Sequence, residues 1–461
     1  MFSIKAKATP SFWEAFFIAL TVILIISISI GKLGAKPHIP ILFSIILLIF
    51  YGLIKRVSFK VLEESMLSGA RAGIGAIYIF LLIGILISSW IVSGTIPTLL
   101  YAGLLIVTAS FFYTIVFIIT ALIGTAIGSS LTTVATIGVA FMSIASAVDA
   151  SVALTAGAIV SGAFFGDKMS PLSDTTNLAA TIVNVDLFEH IKNMSWTTVP
   201  AFIISAILYS VLSPSIDTLD TSVIESYKAS LIDTNFVHWY AIIPLVVLVV
   251  CTLFKMPAFL TLIVSSLVAL ALSTFHMSLS LAEYCTILYS GFVSQTGVEV
   301  IDSLLTRGGI SSMFFTIILV LLSLSMGGLL FVLGIIQTLL GKIEALLKSV
   351  GALITGTAFT AIGINLLVGE QYLSILLTGE AFKQKYDELG LHSKNLGRVM
   401  EDAGTVINPL VPWSVCGLFI ASMLDVSVMS YVPFAFFCLL SPILTILFGW
   451  LNMTITKKYL F

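Results

Sequence analysis

Two carboxylates, Asp167 and Asp174, fall in the stretch S-G-A-F-F-G-D-K-M-S-P-L-S-D-T-T-N from Ser161 to Asn177. Asp174 precedes Thr175, Thr176 and Asn177, so a carboxylate, two hydroxyls and an amide carbonyl fall on consecutive residues. Hard oxygen donors of this kind suit Na⁺, Li⁺ or H₃O⁺ rather than a transition metal. Strongly apolar sequence flanks the stretch on both sides, and ionisable groups at membrane depth persist mainly where they bind or relay something. Gly166 and Pro171 interrupt it, which frees backbone carbonyls and N–H groups from helical pairing. With Ser170 and Ser173 it reads as half of an ion-binding site. Two blander roles stand beside that reading: a buried Asp167–Lys168 ion pair, and Ser173 or Asp174 as a helix N-cap.

Three more polar clusters interrupt apolar sequence. The first is G-T-A-I-G-S-S-L-T-T, with Gly124, Ser129, Ser130 and Thr132. The second is G-I-N-L-L-V-G-E-Q, from Gly363 to Gln371. The third is E-D-A-G-T-V-I-N-P-L-V-P-W-S, with Asp402, Asn408, Pro409 and Ser414. Glu370 is a lone acid in an apolar run, either a proton carrier or the mate of a base such as Arg398 or Lys168. Asn365, about one turn earlier, is expected to share its face. Asp402 is preferred over Glu401 because it aligns near Asp167, and Asn408 and Ser414 align with Ser170 and Thr176. Asp174, Thr175, Asn177 and Asn408 are the expected ligands of such a cation.

The elements that must hold these groups are set by composition. The 461 residues are 59% hydrophobic and 10% charged, with a mean hydropathy of +1.14. Soluble domains carry roughly 25% charged residues, so the chain is read as an all-α polytopic membrane protein. Its net charge of -2 argues against a nucleic-acid partner. Cys251, Cys285, Cys416 and Cys438 lie too far apart in sequence for a zinc motif or a disulfide framework. Apolar runs fall at about 12–30, 39–54, 74–93, 99–123, 126–147, 152–166, 177–185, 197–213, 237–254, 257–275, 311–336, 350–378, 405–424 and 431–451. The first is read as a retained helix, since it is long for a signal peptide and further spans follow. The short runs 152–166 and 177–185 read as re-entrant hairpins or broken helices. Trp90, Trp196, Trp239 and Trp450 are expected in an aromatic belt. Asp149 falls in an expected turn.

The chain also reads as a tandem duplication. G-T-I-P-T-L-L at Gly94 matches G-I-I-Q-T-L-L at Gly334, and S-P-L at Ser170 matches N-P-L at Asn408. The expected division is a first repeat at 1–213, an external acidic linker at 214–235 (Asp217, Asp220, Glu225, Asp233) and a second repeat at 236–461. Lys5 and Lys7, then Lys55, Arg56, Lys60 and Arg71, and finally Lys457 and Lys458 mark one cytoplasmic side holding both termini. The repeats are then inverted relative to each other, and their re-entrant hairpins and broken helices meet near the midplane. The segment 380–398, with Lys383, Lys385, Lys394 and Arg398, falls outside by this count, against its charge.

G-D-K-M-S-P-L-S-D-T-T-N-L-A, from Gly166 to Ala179, resembles the signature of the NhaC-type sodium/proton antiporters, a family that includes sodium- and proton-coupled malate–lactate exchangers. The stretch Glu401 to Ser414 is similar to that family's second characteristic run. The resemblance implies a secondary antiporter of a bacterial inner membrane. The leading expectation is Na⁺/H⁺ antiport by alternating access, with ion and proton competing for buried carboxylates. The second is sodium- or proton-coupled exchange of a small carboxylate such as malate or lactate, or of an amino acid. Arg71, Arg307 and Arg398 all lie near segment ends, which weighs against an anion clamp. An intramembrane aspartyl protease is disfavoured, because Phe164-Phe165-Gly166-Asp167 lacks the first glycine of G-x-G-D. The expected partners are the bilayer and the transported ions, with no cofactor; a homodimer is left open.

Overall fold

The computed structural model describes residues 6–106, 111–147, 150–213, 221–233, 235–254, 256–295, 302, 305–344 and 348–458. Lys5, Asp149, Asp217 and Asp220 lie outside them. Up to residue 212 the chain forms α1 (Phe12–Gly31), α2 (His38–Ile54), α3 (Phe59–Ala72), α4 (Ile74–Val92), α5 (Thr95–Ile106) and α6 (Phe112–Ile127). It continues through α7 (Ser130–Thr133), α8 (Val139–Ala147), α9 (Val152–Met169), α10 (Asp174–Val183) and α11 (Leu187–Leu212). Within the acidic interval lies a helix, α12 (Thr221–Asp233). Then come α13 (Ile243–Leu253), α14 (Ala258–Ser273), α15 (Leu281–Ser290), α16 (Phe314–Val332), α17 (Ile335–Glu344) and α18 (Val350–Val368). The last are α19 (Gln371–Glu388), α20 (Lys394–Met400), α21 (Val415–Leu424), α22 (Val428–Tyr431) and α23 (Phe436–Trp450).

Among the described residues, four stretches are long and apolar enough to cross a bilayer: Phe12–Ile30, Leu187–Leu212, Ile310–Val332 and Val350–Val368. Among the same residues, three bent pairs qualify together: α4 with α5 at 70°, Lys394–Leu410 with α21 at 46°, and Val428–Phe434 with α23 at 57°. The protein is therefore an all-α polytopic membrane protein with broken helices. Two runs counted as single are divided. The 99–123 run splits between α5 and α6, which starts after Phe111 at φ 77°. The 350–378 run splits at Gly369, φ 73°, into α18 and α19. Helices α3 and α17 escaped the apolar count because they are amphipathic, with no continuous apolar run.

Packing divides the molecule into two walls. In one, α16 lies against α2 and α3 while α4 lies against α14 and α15, so each half lends helices to the other. A side chain at Gly69 of α3 would strike the Leu324 carbonyl of α16, so these backbones touch. In the other wall α6 crosses α9, and α18 packs on α19 and α23. Gly162 and Gly166 of α9 sit directly on the α6 backbone, where a Cβ would meet Phe117 O or Gly124 C at 2.5 Å. Small residues at such a crossing allow close van der Waals packing where lipid supplies no hydrophobic drive.

Matching local geometry recurs 241 residues apart. Gly128 (φ 72°) pairs with Gly369 (φ 73°), 369 − 128 = 241. Ser173 and Ser414 are both N-caps, 414 − 173 = 241. Asn184 and Asp425 are both left-handed C-caps at φ 54°, 425 − 184 = 241. This register corrects the sequence alignment by three residues: Ser414 answers Ser173 rather than Thr176, and Asp167 falls opposite Asn408 rather than near Asp402. Short matches between apolar segments slide easily by nearly one helical turn, whereas a cap fixes the end of a helix.

Two further expectations change. Trp90 is 1% exposed and donates its indole N–H to Ser265 Oγ at 3.0 Å, so it is a core residue; Trp196, Trp239 and Trp450 are exposed. The 380–398 segment shares a face with the chain's last described residues. Lys458 pairs with Asp387 at 2.7 Å, Leu391 bridges to Lys457, and His392 N–H donates to Thr456 O at 3.0 Å. The break at Gly369 explains this, because a run counted as one crossing is two helices.

Candidate functional site

The broken segments meet at a cavity of about 740 Å³. Its polar wall begins where α6 ends. Gly128 takes the left-handed cap, and a Cβ there would strike Leu172 Cβ at 2.7 Å. The chain then turns into α7, whose N-cap Ser129 accepts from Thr132 N–H at 3.3 Å and Thr132 Oγ1 at 3.0 Å. Ser130, the first residue of α7, donates to Asp167 Oδ2 at 2.7 Å. Asp167 closes α9 next to Lys168, and the two side chains diverge, one to the cavity and one to the interior.

Between α9 and α10 the Pro171 loop is tied down locally. Ser170 Oγ accepts from Leu172 N–H at 3.2 Å, and Ser173 caps α10 by accepting from Thr176 N–H at 3.4 Å. Thr176 Oγ1 donates back to Lys168 O at 3.2 Å. Asn177 Nδ2 donates to Pro171 O at 3.0 Å and Ser173 O at 2.7 Å. Ser170, Ser173 and Thr176 thus fasten the loop, while Asp174, Thr175 and Asn177 face the cavity. Asp174 is exposed to it, with no hydrogen-bond or ion-pair partner among the described residues.

The second half contributes Glu370, Gln371 and Tyr372 from the start of α19, and Val415 and Cys416 from the start of α21. Glu370 is the N-cap of α19, its Oε2 accepting from Leu373 N–H at 2.8 Å. Neither Arg398 nor Lys168 pairs with it. Asn365 is not on its face either, because α18 has ended between them. Asn365 instead bonds Gly404 O at 2.7 Å and accepts from Asn408 Nδ2 at 2.8 Å. Asn408 Oδ1 takes Cys416 N–H at 3.1 Å, and Ser414 Oγ donates to Asn408 O at 2.5 Å. Asn365, Asn408 and Ser414 form a buried bracket behind the cavity, with the Asn408 side chain already engaged at both polar atoms. Gly124 and Pro409 shape the helix breaks without lining the space.

Asp402 lies elsewhere. Its Oδ1 pairs with Lys168 and its Oδ2 accepts from Thr197 at 2.8 Å, all fully buried. The Asp167–Lys168 pair considered from sequence is therefore replaced by Lys168–Asp402, joining α9 to the π-helical turn Glu401–Thr405 across 234 positions. Spacing gives no clue to such a contact. Gln371, Tyr372 and Cys416 were also missed as lining residues; their one signal was adjacency to Glu370 and Ser414.

Three carboxylates therefore share one cavity, and no Lys, Arg or His lines it among the described residues. Nor do three His, Cys, Asp or Glu side chains converge closely enough among them to cage a metal ion. What the cavity offers is a set of hydroxyl, amide and carboxylate oxygens at the end of α9 and the starts of α7, α10 and α19, chemically able to take an alkali cation or a proton.

The sequence profile of the Na⁺/H⁺ antiporter family matches residues 162–453. The chain is 42% identical over 455 residues to the Na⁺/H⁺ antiporter NhaC of Alkalihalophilus pseudofirmus, covering 98% of each. It is 39% identical over 425 residues to the Na⁺/H⁺ antiporter NhaC of Bacillus subtilis, covering 91% of this chain and 93% of that one. It is 33% identical over 395 residues to the malate-2H⁺/Na⁺-lactate antiporter of Bacillus subtilis, covering 85% and 84%.

Proposed function

Because this chain belongs to the Na⁺/H⁺ antiporter family, we propose that it exchanges Na⁺ for H⁺ by alternating access, the two ions competing for the cavity carboxylates. The observation that carries the reading is the shared cavity of Asp167, Asp174 and Glu370 with no lining base among the described residues. Na⁺ binds Asp174 with oxygens of Thr175 and Asn177 when the carboxylate is ionised, and a proton on the carboxylate expels it. One carboxylate taking either cation in turn couples the fluxes, provided that only loaded states reorient. Asn408 supports this site from behind, by orienting Cys416 and Asn365, and is not a direct ligand as the chain is folded here.

We read the two halves as inverted repeats in a bacterial inner membrane, with Lys457, Lys458 and the 380–398 segment on the cytoplasmic side. The chain transports and performs no covalent chemistry in this reading. Exchange of malate or lactate is the second reading, on the strength of one relative's named activity. The cavity weighs against it, since a dicarboxylate would meet three acids and, among the described residues, no base.

In proteoliposomes carrying an internal pH dye, Asp174→Asn is expected to abolish Na⁺-driven proton movement while assembling normally. Exchange at the unmodified rate in that variant would refute the assignment. Na⁺-dependent uptake of labelled malate by the unmodified protein would reverse the ranking of substrates.

A further inference from the structure

We propose that Glu401, which lies outside the cavity, is a second proton-binding residue of the exchange and gives up its proton when a cation enters. This rests on the antiport reading and deepens it by naming where a further proton is held.

Glu401 opens the π-helical turn Glu401–Thr405, where Val406 N–H reaches back five residues to Glu401 O at 3.4 Å. Turns of this kind sit frequently at functional positions. The Glu401 side chain is fully buried, and neither carboxylate oxygen has a hydrogen-bond partner among the described residues. Its neighbour Asp402 shows what a structural acid looks like here, with Oδ1 on Lys168 and Oδ2 on Thr197. By the 241-residue register Glu401 falls opposite Val160, fully buried in α9 (401 − 160 = 241), so the fold does not require an acid there. An ionised carboxylate without donors is far more costly in such a place than the neutral acid. Glu401 is thus suited to hold a proton and to release it only when the charge around it changes.

That charge is set from α9. Lys168 and Asp167 there, and Asp402 on the same turn, are the charged groups that act on Glu401. Asp167 lines the cavity while Lys168, the next residue, points inward, so the two sites meet across the end of α9. Of the other elements packed on the turn, α20 brings Arg398, bonded to Thr454, and α11 brings His190, against Gly397. From α19 comes Tyr386, bonded to Thr357, from α23 Cys438, and from α10 the cavity's own Asp174, while α18 has no titratable side chain. A cation beside Asp167 adds positive charge on one side of α9 and favours an ionised Glu401 on the other. One added unit charge at such a range changes a buried acid's proton affinity by roughly tenfold. Na⁺ entry then expels one proton from the cavity and another from Glu401, and both return on the leg without Na⁺.

The test is calorimetry of Na⁺ binding to the full chain in detergent, in two buffers of different ionisation enthalpy, over a pH series. The difference between buffers counts the protons released per Na⁺. At its maximum the unmodified chain should release about two, and Glu401→Gln about one while still binding Na⁺. In proteoliposomes, exchange by the unmodified chain should respond to an imposed potassium diffusion potential, and exchange by Glu401→Gln should ignore it. A residue that only filled space would leave the proton count and the voltage response alike. A count never above one in the unmodified chain, or the same count in both chains, overturns the proposal, and so does voltage-sensitive exchange by Glu401→Gln. Absence of Na⁺ binding and of Na⁺-driven exchange in the unmodified chain would sink the antiport reading itself. Should Glu401→Gln fail to assemble, Glu401→Asp decides. A second proton released at a displaced pH supports the assignment, and a release curve identical to that of the unmodified chain overturns it.

Discussion

Ser130 gives the most direct handle on the chemistry, because its hydroxyl reaches Asp167 Oδ2 at 2.7 Å from a different helix. Hydrogen bonds to charged groups contribute about 1.5–3 kcal/mol, so Ser130→Ala is expected to weaken Na⁺ binding by about ten- to a hundredfold. Thr132→Val is the matched control. Its hydroxyl donates to Ser129 Oγ and reaches no carboxylate, so the Na⁺ half-saturation should move by less than about threefold. Equal effects in ²²Na⁺ uptake would mean that Ser130 acts only by holding α7. Glu370 needs a different separation, because it is a helix cap as well as a cavity acid. Gln keeps an oxygen for Leu373 N–H, whereas Ala loses the cap at a cost of about 0.5–2 kcal/mol. Glu370→Gln should therefore match the unmodified protein in thermal unfolding and lose exchange, while Glu370→Ala loses both. An active Glu370→Gln would leave Glu370 a capping role alone.

At the scale of elements, two contacts set the positions of the carboxylates. The first is the α6–α9 crossing, where Gly166 touches the Gly124 and Thr125 backbone. A methyl there meets main chain that cannot yield, so Gly166→Ala should destabilise by about 1–3 kcal/mol, seen as a lower unfolding temperature in detergent. The second is Lys168–Asp402. Removing one partner leaves a buried charge, so Asp402→Asn should cost about 3–5 kcal/mol, and Lys168→Met with Asp402→Leu should recover most of it. A double variant as unstable as the single one would show that packing, not charge, is at issue. These contacts also mark what sequence could reveal. Pro171 beside Ser173 and Asp174 announced its break because the residue types themselves forbid or cap a helix, whereas the left-handed Gly369 before Glu370 stayed hidden inside a run counted as one. Lys168–Asp402 was invisible, since the chain between them carries no record of which base meets which acid. Trp90 looked like a belt residue because indole suits both an interface and a core, and only Ser265 distinguishes them. Asn408 looked like a ligand for a similar reason, its amide being equally fit to bind an ion or to bracket Cys416 and Asn365.

For the whole molecule, sidedness follows from which ends are fastened together. Lys394 pairs with Glu189 at 2.9 Å, and Lys458 with Asp387 at 2.7 Å, so the start of α11, the α19–α20 turn and the chain's last described residues lie on one face. From that face α11 runs 26 residues, about 39 Å, which is enough to cross a bilayer. Its far end meets the start of α6, where Tyr113 N–H donates to Ser213 Oγ at 3.1 Å. The α12 region, with Glu225 exposed, is therefore expected to emerge opposite the tail. Charge counting had separated the 380–398 segment from Lys457 and Lys458, and the fastening unites them, so the basic residues of both fall on one side. Single cysteines can decide it, in a background with Cys251 and Cys285 changed to serine. Glu388→Cys and Lys457→Cys are expected to react with a membrane-impermeant maleimide only in inverted vesicles. Glu225→Cys should react only in intact cells. Labelling of Glu388→Cys and Lys457→Cys from opposite sides would break the tail clasp, and labelling of all three from one side would deny that α11 crosses the membrane.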